Sequence, residues 1–312
     1  MAGFVIKKAK REKIYTKIAL MAPSGGGKTY SSLRLATGMA EEIEKESGKP
    51  AKILMLNTEQ SRGYYYANEF NYDVIDMNAP HNPERYVEAI NFAVDQGYDV
   101  LIIDSSSHEW EGESGCLDLQ QQAGGTYQAW AKIGPRHQKF INAIADSPIH
   151  IIATMRSKDA YEMSKNEQGK TTVQKLGSSP KQRDGFEYEF TATFLLDQKT
   201  NVAEQQKDNT HIFSGKSGVI LSEDHGRKII QWANSGEGYT PRVRNTDGGS
   251  IEEDIKSIKQ QIIALCTEKG GTKNEDLMNT LKSFVASGNP NAIKSIEKAK
   301  ECLEAVKLVK SL

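Results

Sequence analysis

Short apolar runs alternate with helix-periodic segments through the first two thirds of the chain. Four runs are hydrophobic almost throughout, which is typical of strands buried on both faces of a parallel sheet. They are 17–21, 51–59, 98–104 and 149–155. A shorter run follows the second of them at 72–77. Segments with helical spacing of apolar residues separate the runs, at 30–48, 83–97 and 127–146, and we expect the last to be interrupted near Pro135. This alternation predicts an α/β fold around a mostly parallel sheet.

The pattern changes after residue 186. Short strand-like runs joined by polar turns, such as 186–197 and 202–206, predict antiparallel strands added to one edge of the sheet. Two further runs of this kind, 210–215 and 219–223, precede a short predicted helix at 227–235.

A change of composition near residue 236 divides the chain. Residues 236–250 are polar and glycine-rich, which indicates a linker. Residues 251–312 have helical periodicity and three helix-start signals, which predict a small C-terminal helical domain after a core at 1–235. These signals are Ser250 with Glu253, Thr272 with Glu275, and Asn289 with Pro290.

Composition limits the class of protein. The 312 residues include 40 basic and 41 acidic side chains, so any basic surface must be local. Three separated cysteines, Cys116, Cys266 and Cys302, are too few for a disulfide framework or a zinc site and indicate a reducing compartment. No run has the roughly 18 apolar residues of a membrane span, and the first residues do not resemble a signal peptide. We expect a cytoplasmic protein with no membrane partner.

A glycine-rich loop follows the first apolar run. Residues 22–29, APSGGGKT, match the phosphate-binding pattern G-x-x-x-x-G-K-[ST] except that Ala22 replaces the first glycine. Backbone amides of such a loop, and the start of the helix after it, bind phosphate oxygens. We expect Lys28 to reach the β- and γ-phosphates of ATP and Thr29 to hold Mg²⁺. The predicted ATP-binding residues are Pro23, Ser24, Gly25, Gly26, Gly27, Lys28, Thr29 and Tyr30.

Carboxylates follow two other predicted strands. Asp104 ends a buried run, where it can share the Mg²⁺ site with Thr29. Glu59 ends a different strand and is a candidate base for the attacking water, since ligands collect at the carboxyl ends of parallel strands. Glu109 and Glu111 compete with Glu59 for this role. His108 is either a sensor of the γ-phosphate or an ordinary loop histidine.

The order APSGGGKT, LNTE, LIIDSSSHEW resembles the RecA-like ATPase core, and in particular the phage-type RecA-core ATPases linked to single-strand annealing and recombination. The resemblance covers about residues 14–235. It implies an oligomeric ATPase that acts on single-stranded DNA in the host cytoplasm, and a single-strand-binding protein is a candidate partner. The family's D-x-E pattern maps onto residues 57–59, with Asn57 in place of aspartate. The family's sensor glutamine is missing after Thr154 and Met155, so Arg156 or Lys158 is the candidate replacement.

The resemblance also implies two loops that face DNA. The first, within 108–126, carries several acidic residues, which disfavour contact with a DNA backbone. The second, 156–185, is a long polar stretch in which Tyr161 could stack on a base. Its candidate DNA-binding residues are Lys158, Lys165, Lys170, Lys175, Lys181 and Arg183. The alternative is a solvated loop that binds nothing.

Lysines near the end of the core suggest a contribution between subunits. The resemblance places Lys207 and Lys216 at a subunit interface, where a lysine can reach a neighbour's γ-phosphate. We expect Lys207 in a turn between edge strands; the alternative is an exposed lysine without a role. Two other functions remain open for the whole chain. One is a P-loop ATPase that remodels or loads proteins without touching DNA, and the other is a small-molecule kinase.

Overall fold

The computed structural model describes residues 8–165, 171–236, 251–271, 274–285, 287–293 and 296–309. The chain divides into two compact units, Met1–Arg242 and Val243–Leu312. Most of the predicted linker, 237–250, lies outside the described residues, so the predicted domain boundaries stay predictions.

The first unit is an α/β domain. Its strands are β1 Lys17–Ala22, β2 Ile53–Asn57, β3 Asp73–Asp76, β4 Val100–Asp104, β5 His150–Lys165, β6 Thr171–Pro180, β7 Ala192–Leu196 and β8 Ala203–Asp208. Its helices are α1 Lys28–Ser47, α2 Pro83–Asp95, α3 Ser107–Glu111, α4 Cys116–Gln122, α5 Trp130–Asp146 and α6 Glu223–Ala233. No helix among the described residues is long and apolar enough to cross a bilayer.

The strands form one mixed sheet in the order β3-β2-β4-β5-β1-β7-β8. All neighbours are parallel except β7 and β8. Alternate residues of β1 enter different cores: Ile18 and Leu20 belong to the cluster that includes α1 and α6, and Ala19 and Met21 to the cluster that includes α2 and α5. Burial on both faces explains the continuous hydrophobic runs and confirms the predicted α/β class.

Helices α1 and α6 pack in close contact because glycine lies on both sides. A Cβ on Gly38 would lie 1.8 Å from the carbonyl oxygen of Glu223, and a Cβ on Gly226 would lie 2.2 Å from that of Leu35. An ion pair of 2.7 Å between Arg34 Nη2 and Glu223 Oε2 joins the same two helices. This packing fixes the helix that begins at the glycine-rich loop.

The edge after residue 186 differs from the prediction. Strand β7 is parallel to β1, with Ile18 opposite Ala192, and only β8 is antiparallel. The chain returns to the amino end of the sheet through a 3-10 turn at Phe186–Glu189, because Phe186 and Phe190 are buried in the α2–α5 core. Residues 210–223 form no strand; Val219 makes one isolated bridge with Ala203.

Helix α5 continues through Pro135, so the predicted interruption is wrong. A proline ring normally clashes with the Cβ of the residue before it. That residue is Gly134, which has no Cβ and has open space around it.

The predicted loop at 156–185 is largely a β-hairpin. Strand β5 leaves the main sheet after Arg156, and its second half pairs antiparallel with β6 from Ser157 opposite Pro180 to Lys165 opposite Thr171. A register shift lies between Ala160 and Tyr161. The sequence of this ribbon lacks the alternation of apolar and polar residues that identifies a half-buried strand, and for this reason the pattern predicts a loop.

The second unit is helical, as predicted. It contains α7 Ile251–Glu268, α8 Glu275–Phe284, a 3-10 turn at Pro290–Ala292 and α9 Ile296–Leu308. A small apolar core joins these helices, with Ile262, Leu277 and Val306 among its buried members. Asn289 caps the 3-10 turn as expected. Helix α8 is capped by Asn274, whose side chain accepts the N–H of Leu277; the predicted caps Ser250 and Thr272 lie outside the described residues.

Candidate functional site

A cavity of about 610 Å³ opens at the carboxyl edge of the sheet. It is lined by the glycine-rich loop, by the first turns of α1 and by residues just after β2 and β7. Asp104 at the end of β4 and Arg156 of β5 complete its inner wall. Of the predicted ATP-binding residues, 24–30 line this cavity.

The glycines of the loop are required by its backbone. Gly25 and Gly27 have φ angles of 80° and 77°, in the left-handed region that favours glycine. Gly26 has no room for a side chain, because a Cβ there would lie 2.5 Å from the Cβ of Ala22. Helix α1 begins directly after the loop, at Lys28. The loop and this helix start have the form of a phosphate cradle.

Lys28 lies over the loop. Its Nζ donates to the carbonyl oxygens of Ala22 and Pro23, at 3.0 and 3.1 Å. Burial lowers the pKa of Lys28, and Asp104 and Glu59 partly oppose this effect. A half-buried ammonium at the wall of the cavity is well placed to bind a polyanion.

Asp104 connects the loop to the sheet. It is 2% exposed; its Oδ2 accepts the hydroxyl of Thr29 at 2.6 Å and its Oδ1 that of Thr154 at 2.5 Å. Burial raises the pKa of Asp104, and the two hydroxyl donors oppose the rise. The donor set is a hydroxyl and a carboxylate, hard oxygen ligands that fit Mg²⁺.

Glu59 is paired with an arginine from β5. Nη2 of Arg156 donates to both carboxylate oxygens at 2.8 Å, and Nε donates to Oε1 at 3.0 Å. Arg62 lies at 3.4 Å from Oε2. Burial raises the pKa of Glu59, but the bond and charge of Arg156 outweigh it and hold the pKa below its usual range. Glu59 is therefore an ionised carboxylate at the cavity wall, only 11% exposed.

A family model for an AAA domain, AAA_24, matches residues 14–227. The chain belongs to this family. The match spans the glycine-rich loop, Glu59, Asp104 and Arg156, and it supports a P-loop ATPase-type domain. No curated protein matches the chain.

The competing bases lie elsewhere in the AAA domain. Glu109 is fully buried, where it accepts from Cys116 at 3.1 Å and from Gln182 at 3.1 Å and lies 3.0 Å from Nδ1 of His137. Glu111 pairs with Lys181 at 3.3 Å. Neither lines the cavity. This placement favours Glu59 over both as the base.

His108, in helix α3, does not line the cavity either. Its Nδ1 is 2.7 Å from the hydroxyl of Thr58. Burial, together with the charge of Arg156, lowers the pKa of His108 and favours the neutral ring. Of the sensor candidates His108, Arg156 and Lys158, only Arg156 lines the cavity of the AAA domain.

The candidate DNA-binding residues lie on the hairpin or next to it. Lys158 is exposed opposite Ser179, and Arg183 is exposed beyond the end of β6. Lys181 donates its backbone N–H to the carbonyl of Arg156 at 2.6 Å. Lys165 and Lys175 lie on opposite strands, and Lys170 lies outside the described residues.

Lys207 is in strand β8, not in a turn as expected. It lies opposite Thr193, and its Nζ donates to the carbonyl of Tyr188 at 2.5 Å. Because β8 is antiparallel, Lys207 lies towards the amino end of β7 and so away from the cavity of its own AAA domain. Lys216 is exposed, with Nζ 5.7 Å from the ring centre of Phe213.

Sequence reasoning missed several residues of the site. The sequence marks Thr154 only as a strand end, yet it is a hydrogen-bond partner of Asp104. Thr200 and Asn201, after β7, line the cavity, and Asn201 Oδ1 would meet a Cβ on Gly27 at 2.7 Å. The sequence of the polar turn at 197–201, DQKTN, does not indicate a cavity residue. The turn lies at the cavity only because β7 is parallel to β1.

Proposed function

We propose that this AAA domain binds ATP with Mg²⁺ and transfers the γ-phosphoryl group to water. The observation that carries the proposal is the meeting of Lys28, Thr29, Asp104 and Glu59 at one cavity, although they come from three separate parts of the chain. In this assignment Lys28 binds the β- and γ-phosphates, and Thr29 and Asp104 hold the metal ion. Glu59 orients the attacking water and accepts its proton.

We further propose that the protein acts on single-stranded DNA as a RecA-like recombination ATPase. The RecA-like sequence pattern and the position of the hairpin support this. Residues 156–185 contain seven basic and four acidic side chains, a net charge of +3 in a chain that is nearly neutral. The hairpin continues β5, the strand that contacts Asp104 through Thr154 and Glu59 through Arg156. A polyanion on the hairpin is thus linked to the ATP site by one continuous strand.

The test of this proposal is ATP turnover with and without single-stranded DNA. We expect DNA to stimulate hydrolysis, with phosphate released only to water. Turnover that DNA does not change, with no detectable DNA binding, would favour the protein-remodelling alternative. Phosphoryl transfer to a small molecule would favour a kinase.

Neutralising the hairpin lysines is expected to weaken DNA binding and its salt dependence together. Lys165, Lys170, Lys175 and Lys181 are changed to glutamine, and binding to a labelled oligonucleotide is followed by anisotropy across a salt series. Each lost phosphate contact lowers the log–log slope by about 0.7 for a single strand. The control changes four exposed lysines elsewhere, Lys49, Lys228, Lys282 and Lys307. An unchanged slope in the hairpin variant excludes the hairpin as the DNA surface.

We also propose that the protein works as a homo-oligomer in which Lys207 serves a neighbour's ATP site. A cation supplied in trans stabilises charge that develops on the transferring phosphoryl group. The position of Lys207, away from its own cavity, supports a role across an interface.

Mixing two defective variants tests the role of Lys207. We expect Lys207→Ala to bind ATP but hydrolyse it slowly, as does Glu59→Gln. Mixed oligomers contain junctions where an intact Glu59 meets an intact Lys207, so the mixture should exceed either variant alone. Lys49→Ala is the control. If subunits exchange and the rate is only the average of the two, Lys207 has no role in trans.

A further inference from the structure

Asn57, the last residue of β2, contacts the backbone around Glu59. It is 1% exposed, and its Oδ1 accepts the N–H of Glu59 at 3.0 Å. Its Nδ2 donates to the carbonyl oxygen of Gln60. One amide group therefore binds a peptide N–H on one side of the Glu59 Cα and a peptide carbonyl on the other.

The backbone that Asn57 contacts is unusual. Gln60 has a φ of 56°, in the left-handed region, which is unfavourable for a residue with a Cβ. Such a conformation persists when surrounding contacts determine it. The bond from Asn57 to the Gln60 carbonyl is one such contact, and it sets the direction in which the chain leaves Glu59.

Asp76 explains why position 57 requires an amide. The two residues are directly paired in the register of β2 and β3, and Nδ2 of Asn57 donates to Oδ1 of Asp76 at 2.7 Å. The other oxygen of Asp76 accepts the hydroxyl of Tyr64 at 2.5 Å. An aspartate at position 57 would place a carboxylate against both Asp76 and the Gln60 carbonyl, with no proton to share. Like charges at this separation repel, and the bond to Gln60 would be lost.

Gly63 closes the other side of Asn57. A Cβ on Gly63 would lie 2.5 Å from Cγ and 2.6 Å from Nδ2 of Asn57. Its φ is not in the left-handed region, so the obstacle to a side chain here is steric, and the three nearest atoms all belong to the Asn57 amide. The orientation of the Asn57 amide is therefore fixed by its hydrogen bonds and by close packing against Gly63.

We propose that Asn57 is a positioning residue for Glu59, and that Asp76 is the partner that fixes its orientation. The inference rests on the proposed role of Glu59 as the base. Asn57 does not line the cavity; it acts by setting where the Glu59 carboxylate lies relative to the attacking water. A displacement of about 1 Å at a reacting group can cost about 100-fold in rate.

An exchange of the two side chains tests the proposal. Asn57→Asp should lower kcat for ATP about 10- to 100-fold with little change in KM, since phosphate binding is untouched. Asp76→Asn removes the charge and one of the two acceptor oxygens but keeps an amide oxygen that can accept from Asn57, so it should have a smaller effect. In the double variant, the amide introduced at position 76 can donate to the carboxylate introduced at position 57, and that carboxylate can still accept the N–H of Glu59. We expect the double variant to be clearly faster than Asn57→Asp alone. Because relief of the repulsion also restores stability, kcat is measured per folded molecule and at a temperature well below the unfolding midpoint of every variant.

Gly63→Ala tests the same geometry without changing a hydrogen-bonding group. It should displace the Asn57 amide and lower kcat, whereas Ser61→Ala, at an exposed position of the same 3-10 turn, is the matched control. This variant decides the outcome if Asn57→Asp does not fold. The proposal is overturned if Asn57→Asp or Gly63→Ala, shown to be folded, keeps the wild-type kcat, or if the double variant is no faster than Asn57→Asp. Wild-type turnover in Glu59→Gln would instead refute the assignment of the base itself.

Discussion

We expect Glu59→Gln to bind ATP normally but to hydrolyse it at least ~100-fold more slowly than the wild type. That factor is the lower scale for losing a general base. Glutamine keeps the shape of the side chain but cannot accept a proton from water. The phosphate cradle at 22–29 and the pair of Thr29 with Asp104 are unchanged by this substitution. Affinity is measured with a fluorescent nucleotide and turnover by phosphate release, so that the two effects are separated.

Glu111→Gln is the matched control for Glu59→Gln. Glu111 is a carboxylate outside the cavity, and its ion pair with Lys181 has 38% and 27% of the two side chains exposed, so little stability depends on it. Its turnover should stay near the wild-type rate. Full activity in Glu59→Gln together with an inactive Glu109→Gln would mean that the base is Glu109 and that its assignment to the end of β2 is wrong.

We expect Lys28→Ala to lose ATP affinity and its turnover to fall by ~100-fold or more, while the fold is kept. The ammonium is the one side-chain charge on the phosphate loop, and losing a preorganised donor at a transition state costs at least about 100-fold. The folded protein does not depend on it. Burial of Lys28 lowers its pKa, so the charged group is destabilised by its surroundings, and its bonds are to two loop carbonyls. The midpoint of thermal unfolding without nucleotide should be unchanged or slightly raised.

Lys45→Ala provides the comparison for Lys28→Ala. Lys45 is an exposed residue in the last turn of the same helix, paired with Glu42. It should bind and hydrolyse ATP as the wild type does. If Lys28→Ala retained wild-type turnover, the loop at 22–29 would not be a phosphate site.

The sequence predicts those parts of the fold and site that depend on neighbours along the chain. Strands buried on both faces appear as apolar runs, so the parallel sheet can be predicted from the hydrophobic pattern alone. The phosphate loop can be predicted because its motif is local. Gly25 and Gly27 have a left-handed backbone that favours glycine, and they directly precede Lys28 and Thr29 in the chain.

Contacts between distant residues cannot be predicted in the same way. Arg156 meets Glu59 across 97 positions, and Asn57 meets Asp76 across 19, since strand order and register decide both. The direction of β7 depends on where Phe186 and Phe190 are buried, and the local pattern of 186–197 carries no information about that.

The continuity of β5 changes how a defect in the hairpin should be interpreted. Thr154 and Arg156 are two residues apart on one strand, and the outer half of that strand is one arm of the hairpin. If β5 slips by two residues relative to β4 and β1, Asp104 and Glu59 both lose these partners at once. A substitution far out on the ribbon can therefore silence ATP hydrolysis by changing strand alignment alone. A low turnover in a hairpin variant is evidence of a lost DNA contact only when hydrolysis without DNA is normal.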